Sequence, residues 1–303
     1  MINTLTLLGL TSIVLAGTMI NAEAVTIVHG GDSVDIDFVD IGNVGNTGDT
    51  ANTVNGANPG AVNYDYSIGT YEVTAAQWAS VSSFDANVGN AGTWSGAQPT
   101  ASASWYEAAK FANWLTSGDA LQGAYTFSNS TTFTGVDRDT ALTTFGTIYV
   151  LPTEDEWYKA AYFKSDGSGY TTYATGDTLP VAGTDANYNR YIQGPWNVGS
   201  GTVENNGTYD MGGNVYEWGE SAWEGGAPTG DEWRLIRGGD WNNFSTALQS
   251  SNRYYVSNPD LGLFYVGFRV AALELQVASV PEPSSVGLLV LGAMGLMLKR
   301  RRG

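Results

Sequence analysis

Glycine holds 39 of the 303 positions, about twice the usual roughly 7%, and that load limits the fold more than any other feature. Inside a helix or strand glycine gives up more backbone freedom than any other residue, whereas in a turn it opens conformations barred to other side chains. A chain punctuated this often does not build a bundle of long helices. Ten tryptophans and a charged fraction of 14% argue equally against disorder, since such a sequence has apolar bulk to bury. A compact, loop-rich α+β domain satisfies both.

The sequence also marks where regular structure begins. Thr74-x-x-Gln77, Ser104-x-x-Glu107 and Thr153-x-x-Glu156 each set a hydroxyl three residues ahead of a carboxyl or amide. Cap and partner can then satisfy free N–H groups at a helix start. Apolar residues follow at helical spacing: Trp78 and Val81; Trp105, Ala108, Phe111, Ala112 and Leu115; Trp157, Ala160 and Ala161. These tryptophans read as core. Val34 to Ile41 alternates apolar and acidic residues, the pattern of a half-buried strand. Tyr64 to Val73 reads as a further strand pair, and Tyr209 to Ala272 as short strands between glycine pairs. Residues 116–148 and 164–206 read as long loops, which in a compact domain hold function or extra strands.

Several kinds of chemistry are closed. Without cysteine there is no disulfide, no thiolate nucleophile and no Cys-ligated metal. The single imidazole, His29, cannot build a multi-His metal site. A formal charge of −17 argues against nucleic acid, which calls for clustered Lys and Arg. Carboxylate chemistry, oxygen-ligated hard cations and binding by aromatics stay open.

The two ends read as addresses. Leu5 to Ile20 is mostly apolar and Ala22-Glu23-Ala24 follows, so residues 1–24 are expected to be a signal peptide cut after Ala24 by signal peptidase. At the other end Val280-Pro281-Glu282-Pro283-Ser284 precedes an apolar run from Val286 to Leu298, closed by Lys299-Arg300-Arg301-Arg302. The order of Pro-Glu-Pro, short apolar run and basic terminus resembles a PEP-CTERM sorting tail, the signal read by exosortase. That resemblance implies a protein exported to the cell surface or beyond, held transiently in the membrane by residues 280–303 as a transmembrane anchor. Residues 25–279 are left as the mature domain, with a core at 34–272.

Five landmarks run through that core. They are Tyr71-Glu72-Val73-Thr74 with Gln77-Trp78, Ser104-Trp105-Tyr106-Glu107-Ala108 through Asn113-Trp114-Leu115, and Leu151-Pro152-Thr153-Glu154-Asp155-Glu156-Trp157. Tyr209-Asp210-Met211-Gly212-Gly213-Asn214-Val215-Tyr216-Glu217-Trp218 follows, then Arg237-Gly238-Gly239-Asp240-Trp241 up to Asn252-Arg253 and Gly267-Phe268-Arg269-Val270. The series resembles the formylglycine-generating enzyme (sulfatase-modifying factor) family. The resemblance implies a variant of the C-type-lectin-like fold with little regular structure.

Family enzymes oxidise a substrate cysteine with copper held by two cysteines in the segment after Gly-Gly-x-Trp/Tyr. Here that segment is Asn242-Asn243-Phe244-Ser245-Thr246-Ala247-Leu248-Gln249-Ser250, whose hard oxygens do not suit Cu(I). A related branch uses histidine-bound iron, and one histidine does not suffice for it. Neither copper nor iron is therefore expected. The resemblance also implies a calcium site on the Asp210 and Glu217 side chains and the Gly213 and Val215 carbonyls, and a weaker second one starting at Asn187 and the Tyr188 carbonyl. The bare reading of Asp210 and Glu217 is a turn cap and an acceptor of loop N–H bonds.

Two functions compete. One is an exported, non-catalytic surface or matrix protein binding a carbohydrate, peptide or protein. Trp241, Asn242, Asn243, Asn252 and Arg253 are then its groove candidates, although Arg253 also reads as a structural tie. The other is an enzyme of the same superfamily, either the formylglycine-generating oxidation itself or an activity built on a carboxylate-held metal.

Overall fold

The computed structural model describes residues 23–90 and 92–275. A five-stranded antiparallel sheet forms first. Strand β1 (Glu23–His29) turns back into β2 (Asp32–Ile41), and β3 (Tyr66–Gly69) pairs along it. β6 (Thr147–Val150) and β11 (Ala271–Glu274), the last strand described, complete the order β1-β2-β3-β11-β6. In β2 the expected alternation holds: Val34, Ile36 and Phe38 are buried while Asp35 faces solvent. The expected cut after Ala24 falls two residues into β1. Residues 1–22 and the sorting tail lie outside the described residues, and no helix among those described is long and apolar enough to cross a membrane.

All three capping boxes form, opening α1 (Ala75–Phe84), α2 (Trp105–Ser117) and α4 (Glu154–Tyr162). The tryptophans that follow are core, and several buried indoles place their N–H groups, although that of Trp78 has no partner among the described residues. Trp105 donates to Gly219 O at 2.9 Å, and Trp218 to Ala103 O at 3.0 Å. A buried indole left without such a partner would lose the bond it makes in water.

Two readings need correction. Tyr64 to Val73 is not a strand pair, because strand structure stops at Gly69. Beyond it the carbonyls of Gly69 and Thr70 accept from the Arg269 guanidinium, at 2.9 and 3.2 Å, rather than from a neighbouring strand. Residues 116–148 hold more than strands: besides β4 (Tyr125–Phe127) and β5 (Phe133–Val136) there is a helix, α3 (Arg138–Phe145). Its cap is Asp137, which accepts from Thr140 N. Thr140 stands where a capping box would carry Glu or Gln, so the motif does not announce this helix.

The second sheet carries the family landmarks. β7 (Tyr216–Ala222) pairs antiparallel with β8 (Arg234–Arg237), β8 with β9 (Tyr254–Val256), and the short β10 (Val266–Gly267) lies parallel to β7. Residues 164–206 contain no strand or helix of their own, and their turns lie against this sheet's loops.

Candidate functional site

The expected calcium residues come together, but around an arginine. Glu217 is buried in β7. Its Oε2 accepts from Trp157 Nε1 and from Arg269 Nε, each at 2.7 Å, and its Oε1 accepts from the second arm of Arg269 at 2.6 Å. Asp210, in the turn before β7, accepts from Trp196 Nε1 and from Gly199 N, each at 2.7 Å. Burial lifts its carboxyl to about 6. Gly213 has φ +95°, and a Cβ there would lie 2.4 Å from Asn187 O, so only glycine lets this turn pack on the Asn187 loop. Asn214 joins the two: its backbone N donates to Asn187 O at 2.8 Å and its amide to Glu72 at 3.0 Å. Burial, then the charges of Asp210 and Glu217, hold the Glu72 carboxyl well above its ordinary range.

Calcium takes six to eight oxygens. Both oxygens of Glu217 and both of Asp210 already accept from N–H groups, and Arg269 supplies the positive charge. The Asp210, Gly213, Val215, Glu217 set as it stands does not fit the ion. At the second position Asn187 Oδ1 is buried and unpartnered, but the Tyr188 carbonyl accepts from Tyr191 N at 3.3 Å. One open side-chain oxygen is no coordination sphere, and no group of three or more metal-ligating side chains gathers among the described residues.

The groove candidates divide between two networks. Trp241, Asn242 and Asn243 are sewn to the 189–190 loop. Asn189 N donates to Asn243 O at 2.7 Å, Arg190 N to Trp241 O at 2.8 Å, and the Arg190 guanidinium to Asn242 Oδ1. Arg253 instead grips Glu154 with two donors, at 2.8 and 2.9 Å, and lies 4.0 Å over the Trp223 ring. Arg237 meets the same carboxylate from within the core and also holds the carbonyls of Ser250 and Asn252. Arg253 and the Asn252 carbonyl thus belong to this ion-pair network, apart from the loop that carries Trp241 to Asn243. Tyr254, next to Arg253, stacks on Tyr216 instead.

That stack leads to residues the sequence reading passed over. Asp240 is 4% exposed. It accepts from Asn242 N at 2.9 Å and forms no ion pair among the described residues. Burial raises its carboxyl to about 6. Tyr216 and Tyr265 are near enough to feel its charge. Burial and then Asp240 hold the Tyr216 phenol up, while for Tyr265 the order is burial, Tyr254, Asp240. Tyr254 and Phe264, each 52% exposed, stand at the surface beside them. A buried carboxylate without a cation partner among the described residues is a candidate functional group. The clue in the sequence is Asp240 itself, an acid directly after the Gly238-Gly239 turn.

Comparison with known proteins agrees with this framework. A family model described as the sulfatase-modifying factor enzyme 1-like domain matches residues 37–273, and the PEP-CTERM protein-sorting motif matches 279–302. Chaperone protein LppX of Paenibacillus barcinonensis is 28% identical over 228 residues, 66% of this chain and 79% of that protein. Treponema denticola variable protein 1 superposes with a TM-score of 0.61 at 21% identity, over 82% of this chain and 98% of its own. CarF gives 0.59 at 22% identity, over 80% and 99%. PvdO from Pseudomonas aeruginosa gives 0.54 at 20%, over 80% and 95%. At such identities the likeness carries the fold and no ligand.

Proposed function

Because the chain belongs to the sulfatase-modifying factor enzyme 1-like family and ends in a PEP-CTERM sorting motif, we propose that it is an exported binding protein. On this reading it keeps the family's scaffold without the family's oxidation chemistry. One observation carries the reading: the chain has no cysteine. In the family the segment after Gly-Gly-x-Trp supplies copper-holding thiolates, and here it supplies the amides and hydroxyls of Asn242 to Ser250. Cu(I) prefers soft sulfur donors, so these hard oxygens do not retain it. The segment has other work, since the Asn242 amide and the Asn243 main-chain carbonyl fasten the 189–190 loop beside the second sheet. A rigid frame whose loops are pinned in this way suits recognition.

Titration of the mature secreted protein with Cu(I) in the presence of a chromophoric chelator tests the reading. All copper is expected to stay with the chelator, and transfer of one equivalent to the protein would contradict it. Processing by signal peptidase and exosortase belongs to the same proposal. Intact-mass measurement of surface material is expected to lack Arg300 to Arg302, and their presence on every molecule would refute the cut.

A further inference from the structure

The loop that joins β7 to β8 holds a cavity of about 350 Å³, at the low end of the roughly 300–1,000 Å³ range of small-ligand sites. Two indoles, Trp223 and Trp233, and two carboxylates, Glu224 and Glu232, line it with small residues between them. Backbone bonds close the loop, since Trp223 N donates to Trp233 O at 2.7 Å and Ala222 N to Gly226 O at 3.0 Å. Both indoles are held by β9 and the residue before it. Tyr255 stacks on Trp233 with centroids 4.5 Å and planes 10° apart, and the Arg253 guanidinium lies 4.0 Å over the Trp223 ring. Trp233 nevertheless stays 46% exposed. Ring contacts then continue away from the cavity. Tyr255 meets Tyr254 at 5.8 Å, Tyr254 meets Tyr216 at 5.9 Å, Tyr216 meets Tyr265 at 6.3 Å and Tyr265 meets Phe264 at 5.2 Å. Tyr254 and Phe264 are exposed along this row. Large rings left together at a surface mark a place of interaction.

We propose that the cavity between Trp223 and Trp233 binds a neutral hexose unit, and that the row of rings carries further units of the same unbranched polysaccharide chain. The inference rests on the binding reading above and names the ligand class. Charge selects the neutral ligand. Arg237 and Arg253 share Glu154, and Arg234 stands 3.6 Å from Glu232. With Glu224, the carboxylates and guanidiniums at the cavity balance, so a cation meets no excess of negative charge there. Arg253 already occupies the Trp223 ring as a cation would. An anionic chain is repelled by the net charge of −17. The polar groups select against a purely apolar ligand. Glu232 is satisfied by Thr229 N, Thr229 Oγ1 and Gly230 N, but Glu224 is exposed and accepts from no protein group among the described residues. An apolar group would strip water from Glu224 and return no donor, whereas a sugar hydroxyl gives it a charge-assisted bond. A hexose ring joins the two requirements, with C–H groups on its face for the indoles and hydroxyls at its rim for the carboxylate. The row of rings favours a chain over a single sugar, because one unit reaches only Trp223 and Trp233.

Calorimetric titration of the mature protein with cellohexaose, laminarihexaose and maltohexaose tests the assignment, with glucose, triarginine and polygalacturonate as comparisons. Saturable binding of at least one hexasaccharide at millimolar concentration is expected, at least about tenfold tighter than glucose. Trp233→Ala is expected to weaken it about tenfold or more, the scale for losing an aromatic anchor, and Trp233→Phe to restore part of the loss. Tyr254→Ala is expected to weaken the hexasaccharide and leave glucose unchanged. Phe244→Ala, which removes an exposed ring from the segment after Gly238-Gly239, is expected to change nothing. No saturable binding of any hexasaccharide, triarginine or polygalacturonate bound as tightly, or no effect of Trp233→Ala in a protein with an unchanged circular dichroism spectrum would each overturn the proposal. A loss on Phe244→Ala equal to that on Trp233→Ala would overturn it as well. Any of these, alongside an absence of copper uptake, would leave the non-oxidising reading standing and remove only the polysaccharide.

Discussion

Arg269→Met is expected to lower the unfolding free energy by about 3–5 kcal/mol, the range for removing one partner of a buried ion pair. Arg269 is fully buried and spends every arm. It holds Glu217 through two bonds and supports the carbonyls of Gly69, Thr70 and Tyr209. It is the positive charge that Glu72 and Glu204 also feel. Methionine fills the volume but leaves Glu217 charged in the core with Trp157 as its remaining donor. Urea unfolding followed by tryptophan fluorescence measures the loss. The double variant Arg269→Met with Glu217→Gln is expected to regain part of it, because the stranded charge is gone. A single variant as stable as the parent would mean that Glu217 finds another cation, and would contradict the account of this ion pair.

Asp240→Asn is expected to act in the opposite sense, and only above the acid range. The folded protein holds the Asp240 carboxyl at about 6, against about 3.9 in an unfolded chain. Between those values the folded state binds a proton that the unfolded chain has released. Stability therefore falls as pH rises from about 4 to about 6, and the loss is complete above that window. Asparagine cannot ionise and escapes the loss. A gain on the order of 2 kcal/mol is expected at pH 7.5, with almost none at pH 3.5. Thermal unfolding at the two pH values checks it, and equal gains at both would refute the account.

The parts of this molecule that could be read from the sequence were those with local causes. Ser104 and Glu107 announce α2 because cap and partner stand within one turn, and Val34 to Phe38 announces its strand because apolar and acidic residues, and with them burial, alternate. The helix at Arg138–Phe145 escaped because Asp137 caps it without the usual partner. Distant partners were harder still. Glu217 lies in a motif that suggests a metal ligand, yet its environment is decided by Arg269, 52 positions along the chain, and by Trp157. Arg253 sits one residue from Tyr254, yet the first meets Glu154 and Trp223 and the second Tyr216, partners that lie far away in the sequence. Tyr216, Asp240, Tyr254 and Tyr265 come from two strands and two loops, so no periodicity links them in the sequence. The family's C-type-lectin-like architecture, by contrast, was readable because its landmarks keep their order along the chain.

The central claim is that this scaffold recognises a partner and does not oxidise one. The most direct measurement incubates the mature protein with copper, oxygen and a sulfatase-type cysteine peptide, then searches the peptide for an aldehyde by mass spectrometry. The account predicts an unmodified cysteine at the level of a copper-only control. Aldehyde formation with turnover above that control would contradict it, and would require an oxidation centre built without a single thiolate.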